Sequence, residues 1–138
     1  MKSIKFYFDI NDKEFISTSQ TVPTVKSTNL INNVYIRCPI YNPDGVKIGY
    51  KTSNDILQQL SPTKYSVRIF NTYHLDGFGT INWEYAFVND KPNVYYPVGV
   101  VAESTIVSGT GVFNGVSGKV KLNPTADGKR YVVIKFNC

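Results

Sequence analysis

One histidine, two cysteines and ten carboxylates are the groups in this 138-residue chain with the widest chemical range. His74 stands beside a turn. Ser and Asp residues nominally allow a triad around it, but no Gly-x-Ser-x-Gly elbow occurs. Metal sites usually draw on several His or Cys ligands, so one histidine predicts no metal. Cys38 and Cys138 have no Cys-x-x-Cys partner, which removes redox and zinc motifs. They read as two free thiols or as one disulfide. Glu84 and Glu103 fall in the middle of extended runs and could oppose one another as glycosidase carboxylates do. Strand glutamates more commonly face water. Trp83 and Tyr85 alternate around Glu84 and could line a ligand cleft, or pack in a core. Gly109-Thr110-Gly111 has no helix after it to bind phosphate, so it reads as a chain corner.

The elements that must position these residues are strands. Ten Tyr, eight Phe and abundant Val, Ile and Thr favour extended structure. Eight runs have strand character: 4–10, 34–38, 46–50, 65–73, 80–88, 98–107, 119–122 and 131–136. Turn chemistry separates them at Asn42-Pro43-Asp44-Gly45, Asp76-Gly77, Asn89–Asn93 and Asp127-Gly128. Residues 54–60 could form one helical turn. Residues 22–33 read as a long loop over one mouth. An antiparallel up-and-down barrel is the simplest topology for such a string, as a single domain over residues 1–138. Eight strands enclose just enough room for side chains or one small ligand.

The net charge of +5 is scattered, with no run of five like charges. A stacking platform for nucleic acid needs aromatics along a continuous basic groove, so no nucleic-acid partner is expected. No segment has the length and apolarity of a signal peptide or a transmembrane helix, and the expectation is an intracellular protein. Thirteen Asn and twelve Lys against three Arg suit an AT-rich genome, such as that of a protist or a large DNA virus.

The segment Ser108-Gly109-Thr110-Gly111-Val112-Phe113-Asn114-Gly115-Val116-Ser117-Gly118-Lys119-Val120-Lys121-Leu122 resembles the Gly-Gly-(Ser/Ala)-Gly-Ile-Phe-Glu-Gly-x-x-Gly-Gln-Val-Lys-Leu signature of allene oxide cyclases. It is also similar to the Gly-Gly-Thr-Gly-x-Phe stretch of dirigent proteins. Tyr73–Ile81 and Lys5–Asn11 resemble the hairpin and the first strand of the same families. The resemblance implies an eight-stranded barrel, often trimeric, with a mostly apolar cavity for a small apolar ligand; no cofactor is expected. Carried over to this chain, it places Asp9 and Asn11 where the cyclases keep a catalytic Glu and Asn. Thr18, Cys38 and Asp55 stand where the family has a Pro, an Asn and a Cys, so three of five positions are changed. The dirigent Arg is replaced by Ser117.

By alternation, Asp9 and Asn11 face water if Phe6 and Phe8 face the core, and face the cavity if the other side packs on a subunit. The candidate catalytic residues are thus Asp9 and Asn11. The candidate ligand-binding residues are Trp83, Tyr85 and Phe113, the last at the barrel end. With the family's site largely altered, the expectation is a non-catalytic barrel acting as a binding or assembly module, a virion or other structural protein included. The alternative is a small isomerase or cyclase-like enzyme acting on an apolar substrate such as an oxylipin, with Asp9 as base and Asn11 positioning water.

Overall fold

Residues of alternating character build almost every element of this chain. In the last strand, Arg130, Val132, Ile134 and Phe136 are buried, while Tyr131 and Lys135 between them are exposed. That period of two is the signature of a sheet with one face inside. The computed structural model describes residues 1–23, 30–91 and 96–138. Among these described residues are nine strands: β1 (Lys2–Asp9), β2 (Ile16–Pro23), β3 (Leu30–Tyr41), β4 (Lys47–Ser61), β5 (Lys64–Leu75), β6 (Gly79–Asn89), β7 (Ala102–Gly109), β8 (Ser117–Pro124) and β9 (Lys129–Asn137).

All pairings are antiparallel, in the order β1-β9-β8-β7-β6-β5-β4-β3-β2, and β1 also pairs with β3. The result is a closed eight-stranded antiparallel barrel with one extra strand, as the sequence predicts. Closure rests on a single register pair, Tyr7 opposite Tyr41, whose rings stack with centroids 5.5 Å apart. The extra strand is β2. It follows β1 after a short excursion and pairs with the N-terminal part of β3, and its residues 16–20 are exposed.

Three details differ from the sequence reading. Residues 54–60 are not helical but continue β4, because Asp55 and Leu57 point inward at strand spacing. Residues 22–33 are not one long loop: β2 runs to Pro23 and β3 starts at Leu30, and residues 24–29 lie outside the described ones. The seventh strand begins at Ala102 rather than Val98, because Pro97 starts a turn closed by Val100 N–H donating to its carbonyl.

The Gly109–Gly118 corner is a 3-10 turn at Gly111–Phe113 that buries Phe113 at the barrel end. It packs backbone to backbone against the Asp76–Gly79 hairpin. A Cβ at Gly79 would lie 2.1 Å from the Thr110 carbonyl oxygen, and one at Gly111 2.2 Å from that of Phe78. Both also have positive φ, so glycine is required at each.

Candidate functional site

The barrel interior is where the sequence spends polar residues most expensively. On β4 the inward positions in succession are Lys51, Ser53, Asp55 and Leu57, and the first three are at most 2% exposed. On β5 they are Val67, Ile69, Asn71, Tyr73 and Leu75, all buried. On β6 Ile81 and Trp83 are fully buried and Tyr85 and Phe87 pack against the core. Register sets these side by side: Lys51 opposite Cys38 and Tyr73, Ser53 opposite Asn71, and Asn71 opposite Trp83. Tyr96, from the segment joining β6 to β7, is also buried and stacks on Tyr85 with centroids 6.2 Å apart.

Few hydrogen bonds link these groups. Asn71 Nδ2 donates to the Tyr96 hydroxyl at 2.9 Å, and Lys51 Nζ donates to Asn71 Oδ1 at 3.4 Å. Lys51 Nζ also lies 4.4 Å from the Phe8 ring centroid. Ser53 Oγ, Asp55 Oδ1, Tyr73 Oη and Trp83 Nε1 are buried without a partner. Native proteins leave few such atoms, and each costs about 1–3 kcal/mol. Trp83 Nε1 lies near the Tyr73 hydroxyl and Ser53 near Asp55, but neither pair closes a hydrogen bond of ordinary geometry.

Burial governs the charge states. It pushes the Lys51 amine below the ordinary lysine value, against the pull of the Asp55 charge. It pushes the Asp55 carboxyl up, against Lys51 and Ser53. Tyr73 and Tyr96 are raised by the same cause, so both remain hydroxyl donors. The Cys38 thiol is pushed up to about 11 by burial and is an unreactive neighbour. Arg130 is also buried, its Nη1 donating to the carbonyls of Thr125 and Lys129.

Of the residues singled out from sequence, Trp83 and Tyr85 lie together in this interior, ring centroids 6.3 Å apart. Phe113 is buried at the end of the barrel against Phe136, on the wall of an apolar hollow of about 850 Å³. Phe6 and Phe8 take the inward positions of β1, so Asp9 falls on the other face and Asn11 in the following turn. Asp9 Oδ1 accepts from the Asn11 backbone N–H at 2.8 Å, and Asn11 Nδ2 donates to the Asp127 carbonyl at 3.2 Å. Their hydrogen bonds therefore tie the β1 end to the β8–β9 turn.

Glu84 and Glu103 are exposed, and Glu103 approaches Lys121 at 4.0 Å. His74 stacks on Tyr50 at 4.2 Å, and Arg37 covers the Tyr50 ring on the barrel exterior. Cys38 and Cys138 are free thiols. Among the described residues no His, Cys, Asp and Glu cluster could hold a metal, and no helix is long and apolar enough to cross a membrane.

Sequence reasoning passed over Lys51, Ser53, Asn71 and Tyr73, and met Asp55 only as a changed position. One signal was available: Asn71 interrupts an otherwise apolar series at 67, 69, 73 and 75.

No family model and no curated protein matches the chain in sequence. Solved structures do match its fold. A pyocyanin demethylase aligns with TM-score 0.60 and 13% identity, covering 99% of this chain and 100% of that one. AbnU, an exo-specific intermolecular Diels-Alderase, aligns with TM-score 0.53 and 13% identity, covering 99% of this chain and 98% of that one. The chain shares their eight-stranded barrel fold. These neighbours overturn the expectation of a non-catalytic binding or assembly module, because both are enzymes on this scaffold.

Proposed function

We propose that this chain is a small barrel enzyme of the isomerase or cyclase type, acting on an apolar substrate held against the β4–β5–β6 wall. The carrying observation is the set of buried, unpartnered polar groups there. Three of the four are donors in their favoured state: the indole N–H can only donate, and the Tyr73 and Ser53 hydroxyls keep their protons. Burial biases Asp55 toward a fourth. None of these donors has an acceptor in ordinary hydrogen-bond geometry. A substrate oxygen that gains negative charge as its π-system rearranges would supply one, and fixed donors in a dry site stabilise that change. Trp83, Tyr85 and Phe8 offer flat apolar surface to the rest of the substrate.

The neighbours support this reading, since one of them builds rings by cycloaddition. The resemblance of Ser108–Leu122 to allene oxide cyclases supports it as well. The proposal departs from that resemblance in one respect: it puts the chemistry on Tyr73, Trp83 and Asp55 ahead of Asp9 and Asn11, which serve the turn.

The test is product chirality. The protein is mixed with short-lived allylic epoxides of oxylipins and with diene–dienophile pairs, and products are resolved on a chiral column. An enantiomeric excess above the spontaneous background is expected. Tyr73→Phe should lower the rate by about 10²–10³, the usual loss for one oxyanion donor. Asp9→Asn should leave the rate near wild type and cost about 1 kcal/mol of stability through its turn. Racemic product at the spontaneous rate with every substrate overturns the reading.

A further inference from the structure

Lys51 is the least expected residue in the barrel. It is 2% exposed and belongs to the largest fully buried side chains. Lysine is almost never fully buried unless paired, because an ammonium stripped of water costs far more than a neutral amine. A lysine kept for its charge would sit against a carboxylate. Among the described residues the ion pairs within 4.0 Å are Lys47–Glu14 and Lys121–Glu103, both on the exterior. Instead Lys51 Nζ has one neutral amide oxygen at 3.4 Å and a phenyl face at 4.4 Å. A lysine kept for packing would be served as well by Met, which carries no desolvation cost. What remains is the amine itself: a buried primary amine with its lone pair free is a nucleophile toward carbonyl carbon.

We propose that Lys51 captures an apolar α,β-unsaturated aldehyde or ketone as a Schiff base inside the barrel. The inference rests on the interior being the active site, and it names the substrate class for that site. Nζ adds to the carbonyl carbon, and one amine proton moves to the oxygen to give a carbinolamine. Asp55, the carboxyl on the same wall, donates its proton to the hydroxyl, which departs as water while the nitrogen lone pair forms C=N. The products are a protonated imine and the Asp55 carboxylate, which balance in charge. Amine and carbonyl have condensed with loss of one water, and nothing has been oxidised or reduced. The iminium withdraws electrons from the conjugated double bond, so the bound enal is a better partner for ring closure than the free one.

Reductive trapping tests this without requiring turnover. The whole protein is incubated at pH 7 with trans-cinnamaldehyde, and in parallel with the smaller propionaldehyde, in the presence of sodium cyanoborohydride. Modified lysines are located by peptide mass spectrometry. A free amine with the reference lysine value of about 10.4 is almost wholly protonated at this pH and reacts slowly. Lys51 is expected to be alkylated at least about tenfold faster than any of the other eleven lysines, to one equivalent, by both aldehydes. Without reductant the adduct should disappear on dilution. Lys51→Met should remove that equivalent and leave the slow background. If this variant fails to fold, the map of the unaltered protein still decides.

Labelling spread over exterior lysines with Lys51 spared, by both probes, overturns the proposal. The two readings fail separately. A Lys51 adduct with no enantioselective turnover overturns the enzyme assignment alone, and turnover by a protein whose Lys51 is never trapped overturns the Schiff base alone.

Discussion

Two walls face each other across this barrel, and they are made of different materials. The wall of β1, β9, β8 and β7 presents Phe6, Phe8, Val132, Ile134, Val120, Leu122, Ala102 and Ile106, with Arg130 as its polar residue at one end. The wall of β4, β5 and β6 presents Lys51, Ser53, Asp55, Asn71, the Tyr73 hydroxyl and the Trp83 indole N–H. Both are equally dry. Burial on the first wall stabilises the fold at about 25 cal/mol per Å² of apolar surface. Burial on the second destabilises it for every group left unpaired. A chain under selection for stability alone would fill both walls alike. Under the function proposed above, the second wall is where stability is given up for chemistry, and sites of that kind are where local rules are expected to break.

Substitutions can test this contrast. Leu122→Ala on the apolar wall removes most of a fully buried side chain and should cost about 2–5 kcal/mol in urea unfolding. Lys51→Met keeps the volume and removes the buried amine. It should leave stability unchanged or raise it by about 1 kcal/mol. Equal destabilisation by both variants would erase the distinction between the walls.

Titration sharpens the contrast further. Burial raises the Asp55 carboxyl, so its contribution to stability is complete below about pH 4 and lost as pH rises through its folded value. Asp55→Asn should therefore gain on wild type as pH is raised from 4 toward neutrality. Asp12, on the exterior, has the opposite sign. The Tyr41 hydroxyl donates to its Oδ2 at 2.6 Å and holds the carboxyl below the usual range. Its contribution is present above about pH 4 and lost in acid. Tyr41→Phe should cost the smallest amount, about 1 kcal/mol at pH 7, with the deficit shrinking as pH falls below 4.

The barrel was legible in the sequence because its signals are local. Asn42–Gly45, Asp76-Gly77 and Asp127-Gly128 mark turns by their own chemistry, and the alternation in Tyr131–Phe136 needs no partner to be read. The polar wall was largely illegible for the converse reason. Lys51-Thr52-Ser53-Asn54-Asp55 is polar on both faces, so period two cannot say which side is inside; only register against Cys38 and Tyr73 assigns it. The same absence of contrast made residues 54–60 look like a helical turn. Asp9 and Asn11 drew attention through resemblance, yet Phe6 and Phe8 already held the inward positions beside them. Tyr96 lies between turns, and nothing local shows that its ring turns back into the barrel.

The single Tyr7–Tyr41 pair that closes the ring has a consequence for how the chain assembles. From β3 to β9 each strand is neighbour to the next in sequence, so that whole ribbon can zip hairpin by hairpin with little loop entropy to overcome. β1 is different. It must meet β9 from the far end of the chain, and β3 at one point. Such distant contacts are the slow ones. Of the barrel's strands, the first in chain order should thus be the last stave to be set, and the cavity has no walls all round until it arrives.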